Sequence, residues 1–263
     1  MTWHARLDLD YTLRDARSVA MYRHEGPLRI LQSLYPEGDA TCHNVLVHPP
    51  SGLVAGDRLD ITVKVDAGAH GLVTTPGATR FYRSEGEAAT QDARVRVAAG
   101  GRLEWLPMEA LCYSGCHAEN RLHLDLAPGA EAMGWDVTAL GLPAADQPFV
   151  AGTLQQHLEL HGAWLERARL AADDARLLDG PLGLAGRRCI ATLFLAAGEE
   201  LSRERREQAL ALARDVIEAH PLRDTAGATS PDDRVVVVRA LAPLVEPAME
   251  LLKAVRAAWR PAM

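Results

Sequence analysis

One short design recurs along the chain and restricts what the chain can fold into. Val63–Gly68 reads VKVDAG, Val95–Gly100 VRVAAG, Leu124–Gly129 LDLAPG and Leu193–Gly198 LFLAAG, while Leu158–Gly162 (LELHG) is one residue shorter. Each copy places two apolar residues on one face of an extended strand and ends in a glycine, which accepts a backbone conformation closed to other residues. Recurrence at roughly thirty-residue intervals predicts coils of strand stacked on one another. The competing reading is an antiparallel β protein that reuses the same turn chemistry. Both make the fold mainly β.

Single segments agree. Arg58 to Asp66 alternates Leu59, Ile61, Val63 and Val65 with polar residues, and Arg121 to Leu126 repeats the pattern with Leu122, Leu124 and Leu126. From Ser202 the period changes: Leu210, Ala213, Val216 and Ile217 form a stripe at helical spacing, Ser202 caps it and Pro221 stops it. A second helix fits Glu246 to Arg260, with Pro247 in its first turn and Leu251, Leu252, Val255 and Trp259 as its stripe. Arg234 to Leu241 between them reads as a buried strand. The expected architecture is a stacked or helically wound β body over 1–200, with two C-terminal α-helices and a strand from 201–263 packed on it as a single domain.

A formal charge of −7 and a pI near 5.8 argue against a general nucleic-acid binder, whose footprint is a basic surface. The first ten residues carry Arg6, Asp8 and Asp10 without an apolar run, and no later stretch approaches the ~20 apolar residues of a membrane span. A cytoplasmic protein is expected. Cys42, Cys112, Cys116 and Cys189 are too irregularly spaced for a disulfide framework.

The chain lacks a G-x-S-x-G elbow, an H-E-x-x-H pair and a G-x-x-x-x-G-K-[ST] phosphate loop. Any nucleotide energy must come from another protein. Cys42, His43 and His48, and Cys112 with Cys116 and His117, offer donors suited to zinc, nickel or copper. Residues four apart on a strand lie about 13 Å from each other, so only a turn at Gly115 could join Cys112 to Cys116. Asp57, Glu104, Glu109 and Asp136 stand among apolar neighbours. Each either points outward or is buried with a partner, and as a set they could line a polar passage for a hydrated divalent cation.

Pro36-Glu37-Gly38, Cys42-His43 and His48-Pro49-Pro50-Ser51-Gly52-Leu53-Val54-Ala55-Gly56-Asp57 resemble the N-terminal signature of the urease accessory protein D family, also called H. Thr74-Thr75-Pro76-Gly77-Ala78-Thr79-Arg80-Phe81-Tyr82-Arg83-Ser84 is the most specific block. Leu103-Glu104-Trp105-Leu106-Pro107 with Glu109, then Trp135-Asp136 and Leu140-Gly141, continue the resemblance. The chain departs from it at Leu142, where the family has Arg, at Asp146-Gln147, where it has Gly-Glu, at Ser51 and Ala55, where it has glycines, and at Met108, where it has Gln.

The resemblance implies a helically wound β body and a non-enzymatic scaffold. Such a scaffold binds apo-urease with accessory proteins F and G, G being a nickel-carrying GTPase, and holds no tight cofactor while nickel passes through its interior. By position it implies Asp57, Glu104, Glu109 and Asp136 as the polar lining, with Cys42, His43 and His48 near the entry. Arg80, Tyr82 and Arg83 either brace the fold as a cross-strand ladder or meet a partner. Two other functions fit the residues: a β-rich zinc metallohydrolase using Cys112, Cys116 and His117, and a metal-independent β-solenoid binding module.

Overall fold

The computed structural model describes residues 2–262. Its strands are β1 (His4–Arg14), β2 (Arg17–Glu25), β3 (Arg29–Leu34), β4 (Cys42–Val47), β5 (Arg58–Val65), β6 (His70–Thr74), β7 (Thr79–Phe81), β8 (Ala89–Val97) and β9 (Arg102–Leu106). They continue with β10 (Ala110–Cys112), β11 (Cys116–Leu126), β12 (Glu131–Leu140), β13 (Gly152–Leu160), β14 (Trp164–Ala171), β15 (Cys189–Ala197), β16 (Ala226–Asp232) and β17 (Val235–Ala242). The helices are α1 (Ala175–Asp179), α2 (Arg203–Glu218) and α3 (Val245–Trp259).

One sheet runs β14-β13-β11-β8-β5-β1-β2 and the other β16-β17-β15-β12-β9-β6-β4-β3. From β5 to β13 the chain winds between them. β5, β8, β11 and β13 pair in parallel, as do β4, β6, β9 and β12. β7 and β10 pair in parallel beside the end of β12 and form a short third wall. The body is mainly β with solenoid-like stacking, as the repeat predicts.

The turns of the first three repeats lie over one another. The Arg102 N–H donates to the Ala69 carbonyl (2.9 Å), the Gly100 N–H to the Gly129 carbonyl (3.0 Å) and the Glu131 N–H to the Gly101 carbonyl (3.1 Å). Gly68, Gly100 and Gly129 adopt φ of +73°, +72° and +77°, a conformation a Cβ would strain. The other two copies differ. LELHG ends β13 at an antiparallel hairpin into β14, and LFLAAG lies on β15, antiparallel to β12 and β17. LFLAAG shares the alternation but not the coil, whereas LELHG sits on the last parallel strand of the stack.

Period-2 alternation packs the space between the sheets. Val63, Val95, Leu124 and Leu160 are register partners across four strands, each at most 2% exposed. Burial of each contributes about 1.5–3 kcal/mol before the entropy of ordering is subtracted. A second core lies on the other face of the second sheet, where Met133, Val137, Leu193, Val236 and Val238 meet Leu251, Leu252 and Val255 of α3. Ser202 Oγ accepts the Arg205 N–H (3.2 Å) and starts α2, while Trp259 Nε1 donates to the Ala209 carbonyl (2.8 Å) and joins the end of α3 to α2. The described residues 201–262 thus hold α2 and α3 with two strands, β16 and β17, where the sequence predicts one, and the short α1 adds a third α-helix between β14 and β15. Among the described residues no helix is long and apolar enough to cross a membrane.

Candidate functional site

The segments that carry the family resemblance are distant in sequence and adjacent in space. The Leu53 N–H donates to the Arg80 carbonyl (2.8 Å) and the Tyr82 N–H to the Leu53 carbonyl (2.9 Å), so the loop 48–57 is sewn to β7. Gly52 lies under the Tyr82 ring, where a Cβ would come within 2.1 Å of Cε2. Thr74 Oγ1 donates to the Leu106 carbonyl (2.7 Å), and Thr75 Oγ1 accepts the Met108 N–H (2.9 Å). Trp135 Nε1 donates to the Pro107 carbonyl (2.6 Å).

These segments enclose two cavities. The outer, of about 220 Å³, is lined by His48, Ser51, Leu53, Thr75 to Arg80 and Gln91, with Pro76 and Gly77 exposed at its rim. The inner, of about 20 Å³, has room for one water-sized guest and is lined by Thr79, Gln91, Asn120, Asp136 and Trp105 among others. Thr79 and Gln91 belong to both walls.

Asp136 is the carboxylate of the inner cavity. It points from β12 to the interior, its Oδ2 accepting from Asn120 Nδ2 (2.7 Å) and its Oδ1 from Thr138 Oγ1 (3.2 Å) and Gln156 Nε2. Gln91 Nε2 in turn donates to Asn120 Oδ1 (3.1 Å). Gln91, Asn120 and Gln156 are register partners on β8, β11 and β13, an amide row inside an apolar stack. Burial, with a smaller push from the Glu166 charge, raises the Asp136 carboxyl to about 6, the neutral donors opposing it. The sequence reading missed this row. Its trace is a polar residue at an inward position of each alternating strand.

His48, on the outer wall, has a buried Nε2 without a partner, and burial lowers its pKa against the pull of Asp57. Arg80 Nε in the same wall is also buried without a partner. Asp57 itself is committed: Oδ1 accepts the Trp3 N–H (2.7 Å) and Oδ2 the Val54 N–H (2.9 Å). It closes the turn that shapes the loop.

Glu104 faces away from the interior, toward α3. Its Oε2 accepts from Arg256 Nε (2.8 Å) and its Oε1 from Arg260 Nε (2.9 Å), while His70 Nε2 lies 3.3 Å off, outside hydrogen-bond geometry. Burial alone would raise its pKa, but His70 and the two guanidiniums hold it at about 2. His43 adjoins this cluster, with Nε2 3.2 Å from Glu37, and Arg260 also pairs with Glu37. Glu109 has a buried, unpartnered Oε2 and lies near Cys189, whose thiol is pushed up to about 12 by burial, then by Glu109 and Glu246.

The predicted residues therefore fall into separate settings and not one lining. Cys42 is buried, its Sγ 3.6 Å from Asn44 Oδ1. Cys112 and Cys116 do approach across the turn at Gly115, and all four cysteines are free thiols. Tyr82 packs on Tyr113 with ring centroids 4.8 Å apart, whereas Arg83 is exposed. Among the departures, Ser51 adopts φ +69°, a conformation natural to the glycine it replaces. Leu142 and Gln147 pair through their backbones (2.8 and 3.2 Å) in the loop after β12.

Comparison with known proteins gives this assembly its family. A family profile described as UreD urease accessory protein matches residues 4–263. The chain is 67% identical over 260 residues to a urease accessory protein UreD of Polaromonas naphthalenivorans (strain CJ2), covering 99% of this chain and 94% of the relative. It is 65% identical to that of Variovorax paradoxus (strain S110), with the same coverage, and 63% identical over 263 residues to that of Verminephrobacter eiseniae (strain EF01-2), covering 100% and 95%. The chain belongs to the urease accessory protein UreD family.

Proposed function

We propose that the chain is a non-catalytic scaffold of urease maturation that binds apo-urease together with accessory proteins F and G and passes nickel through its interior. The observation that carries the passage is Asp136, a buried carboxylate served by neutral donors alone. A divalent cation beside it offsets a charge that the fold leaves uncompensated. His48 offers a first, borderline donor in the outer cavity, and Thr79 and Gln91 line the step between the two. The Arg80 guanidinium repels a cation in the same wall, so the balance suits brief residence over storage.

Other predicted residues take supporting roles in this reading. Asp57 shapes the entry loop, Glu104 anchors α3, and Arg83 is the member of its trio exposed for a partner. Cys42 and His43 line neither cavity.

The test uses cells that carry the urease subunits and accessory proteins F and G, with wild type, Asp136→Asn or Thr79→Leu of this chain. Nickel per urease and co-purification of the complex are both measured. Nickel loading should fall in both variants while the complex still forms. Unchanged loading in both, or loss of nickel only in step with loss of the complex, refutes the passage.

A further inference from the structure

On the outer face of the first sheet, far in character from the amide row behind it, two histidines and a glutamate converge. His123 on β11 is the register partner of Glu159 on β13, and His157 lies two residues before Glu159 on the same face. His123 Nδ1 is 3.1 Å and His157 Nε2 2.9 Å from Glu159 Oε2, and one donor atom from each of the three lies within 4.8 Å of the others. Among the described residues this is the three-donor grouping of that kind.

We propose that His123, His157 and Glu159 form a surface site for a divalent transition-metal ion of the zinc and nickel class. In a tetrahedral site with bonds of about 2.0–2.1 Å, neighbouring donors sit about 3.4 Å apart. The two separations to Glu159 need to open by only a few tenths of an ångström, and the two imidazole donors already lie within 4.8 Å of each other. Paired strands hold two of the donors in register, so little ordering is left for the ion to impose. Two imidazoles and one carboxylate are the donors this class of ion takes, with a fourth position open to water.

The surroundings set the strength. The adjoining recess is lined by Asp92, Arg94, Arg121, Arg167 and Arg169. Asp92 pairs with Arg94 at 3.0 Å and lies 3.9 Å from Arg121. Arg167 acts directly: its Nε donates to His157 Nδ1 (3.2 Å), which leaves the ring proton on Nε2, facing Glu159. An ion at Nε2 requires that proton to move to Nδ1, where it opposes the arginine. Arg167 therefore competes with the ion, and the site is exchangeable. None of this depends on the maturation role or on the interior cavities.

The full-length, untagged chain is titrated calorimetrically with Ni²⁺ and with Zn²⁺, and Co²⁺ is followed by its visible absorption. His123→Ala and His157→Ala, both half-buried on the outer face of the sheet, should each lose one binding event or weaken it at least about tenfold. Arg167→Ala should strengthen the same event. Binding by either histidine variant with wild-type stoichiometry and affinity overturns the site, as does the absence of a stoichiometric event in the wild type. Unaltered or weaker binding by Arg167→Ala overturns the assigned competition, whether or not the histidine variants fold as well as the wild type.

Discussion

Replacing Asp136 by asparagine keeps the size of the side chain and removes a buried charge. The carboxyl titrates at about 6 in the fold against 3.8 for the free group. The native state therefore holds this proton more tightly than the unfolded chain does. Stability falls as pH rises from about 4 to about 6, and above that the ionised group costs about 3 kcal/mol. By about pH 4.5 some 2 kcal/mol of that is recovered. Asparagine carries no such penalty, but its NH₂ must face one of the donors now aimed at the carboxylate. That conflict costs about 2 kcal/mol at every pH. The variant should thus be more stable than wild type by about 1 kcal/mol at about pH 7.5 and less stable by about 1 kcal/mol at about pH 4.5. Urea unfolding followed by tryptophan fluorescence across this range measures the crossing. A stability gap that stays constant within about 0.5 kcal/mol from one pH to the other refutes the buried, uncompensated carboxylate.

Glu104→Gln should destabilise by about 2–3 kcal/mol at neutral pH, below the full cost of breaking a buried pair because Arg256 and Arg260 are partly exposed. Glu104 has its pKa lowered from 4.5 to about 2, so its stabilisation is complete above 4.5 and lost as pH falls to 2. Melting curves of the two proteins should converge over that interval. Gly52→Ala should cost about 1–3 kcal/mol by displacing the Tyr82 ring. A second change, Tyr82→Ala, should remove most of the cost of Gly52→Ala and leave only the close approach of the Arg80 carbonyl (3.1 Å), which a double-mutant cycle on thermal unfolding checks.

The strands were legible wherever one face is apolar. The alternation over Arg58 to Asp66 is β5 almost to the residue, and Ser202 and Trp259 mark the helices they predict. The LFLAAG repeat shows the limit. Its alternation is as good as that of the coils, but β15 belongs to the antiparallel end of the sheet, and strand direction leaves no mark on a period-2 pattern. The same limit separated the carboxylates. Glu104 and Trp105 are neighbours on β9, and parity sends one to α3 and the other inward, so an apolar neighbour in sequence says little about the setting of a charge. The amide row and the His123–His157–Glu159 cluster need the register of separate coils, which sequence spacing does not supply.

The amide row bears on function because it is unfavourable for stability alone. The same register on β5 is filled by Leu59, and leucines at 91, 120 and 156 would each add about 1.5–3 kcal/mol of burial. The fold instead spends three interior positions on amides, two of which donate to one carboxylate while Gln91 holds Asn120, and the nearby Arg121 pairs with Glu119 and Asp92 instead of with that carboxylate. Glu104 shows that the chain neutralises a buried carboxylate where the charge is structural, with two arginines from its C-terminal end. Two carboxylates on adjacent strands are thus tuned in opposite directions, to about 2 and about 6. In the proposed passage this difference is the mechanism: the carboxylate closed by arginine holds the helix in place, and the one left without a counter-ion is free to accept a passing cation and release it.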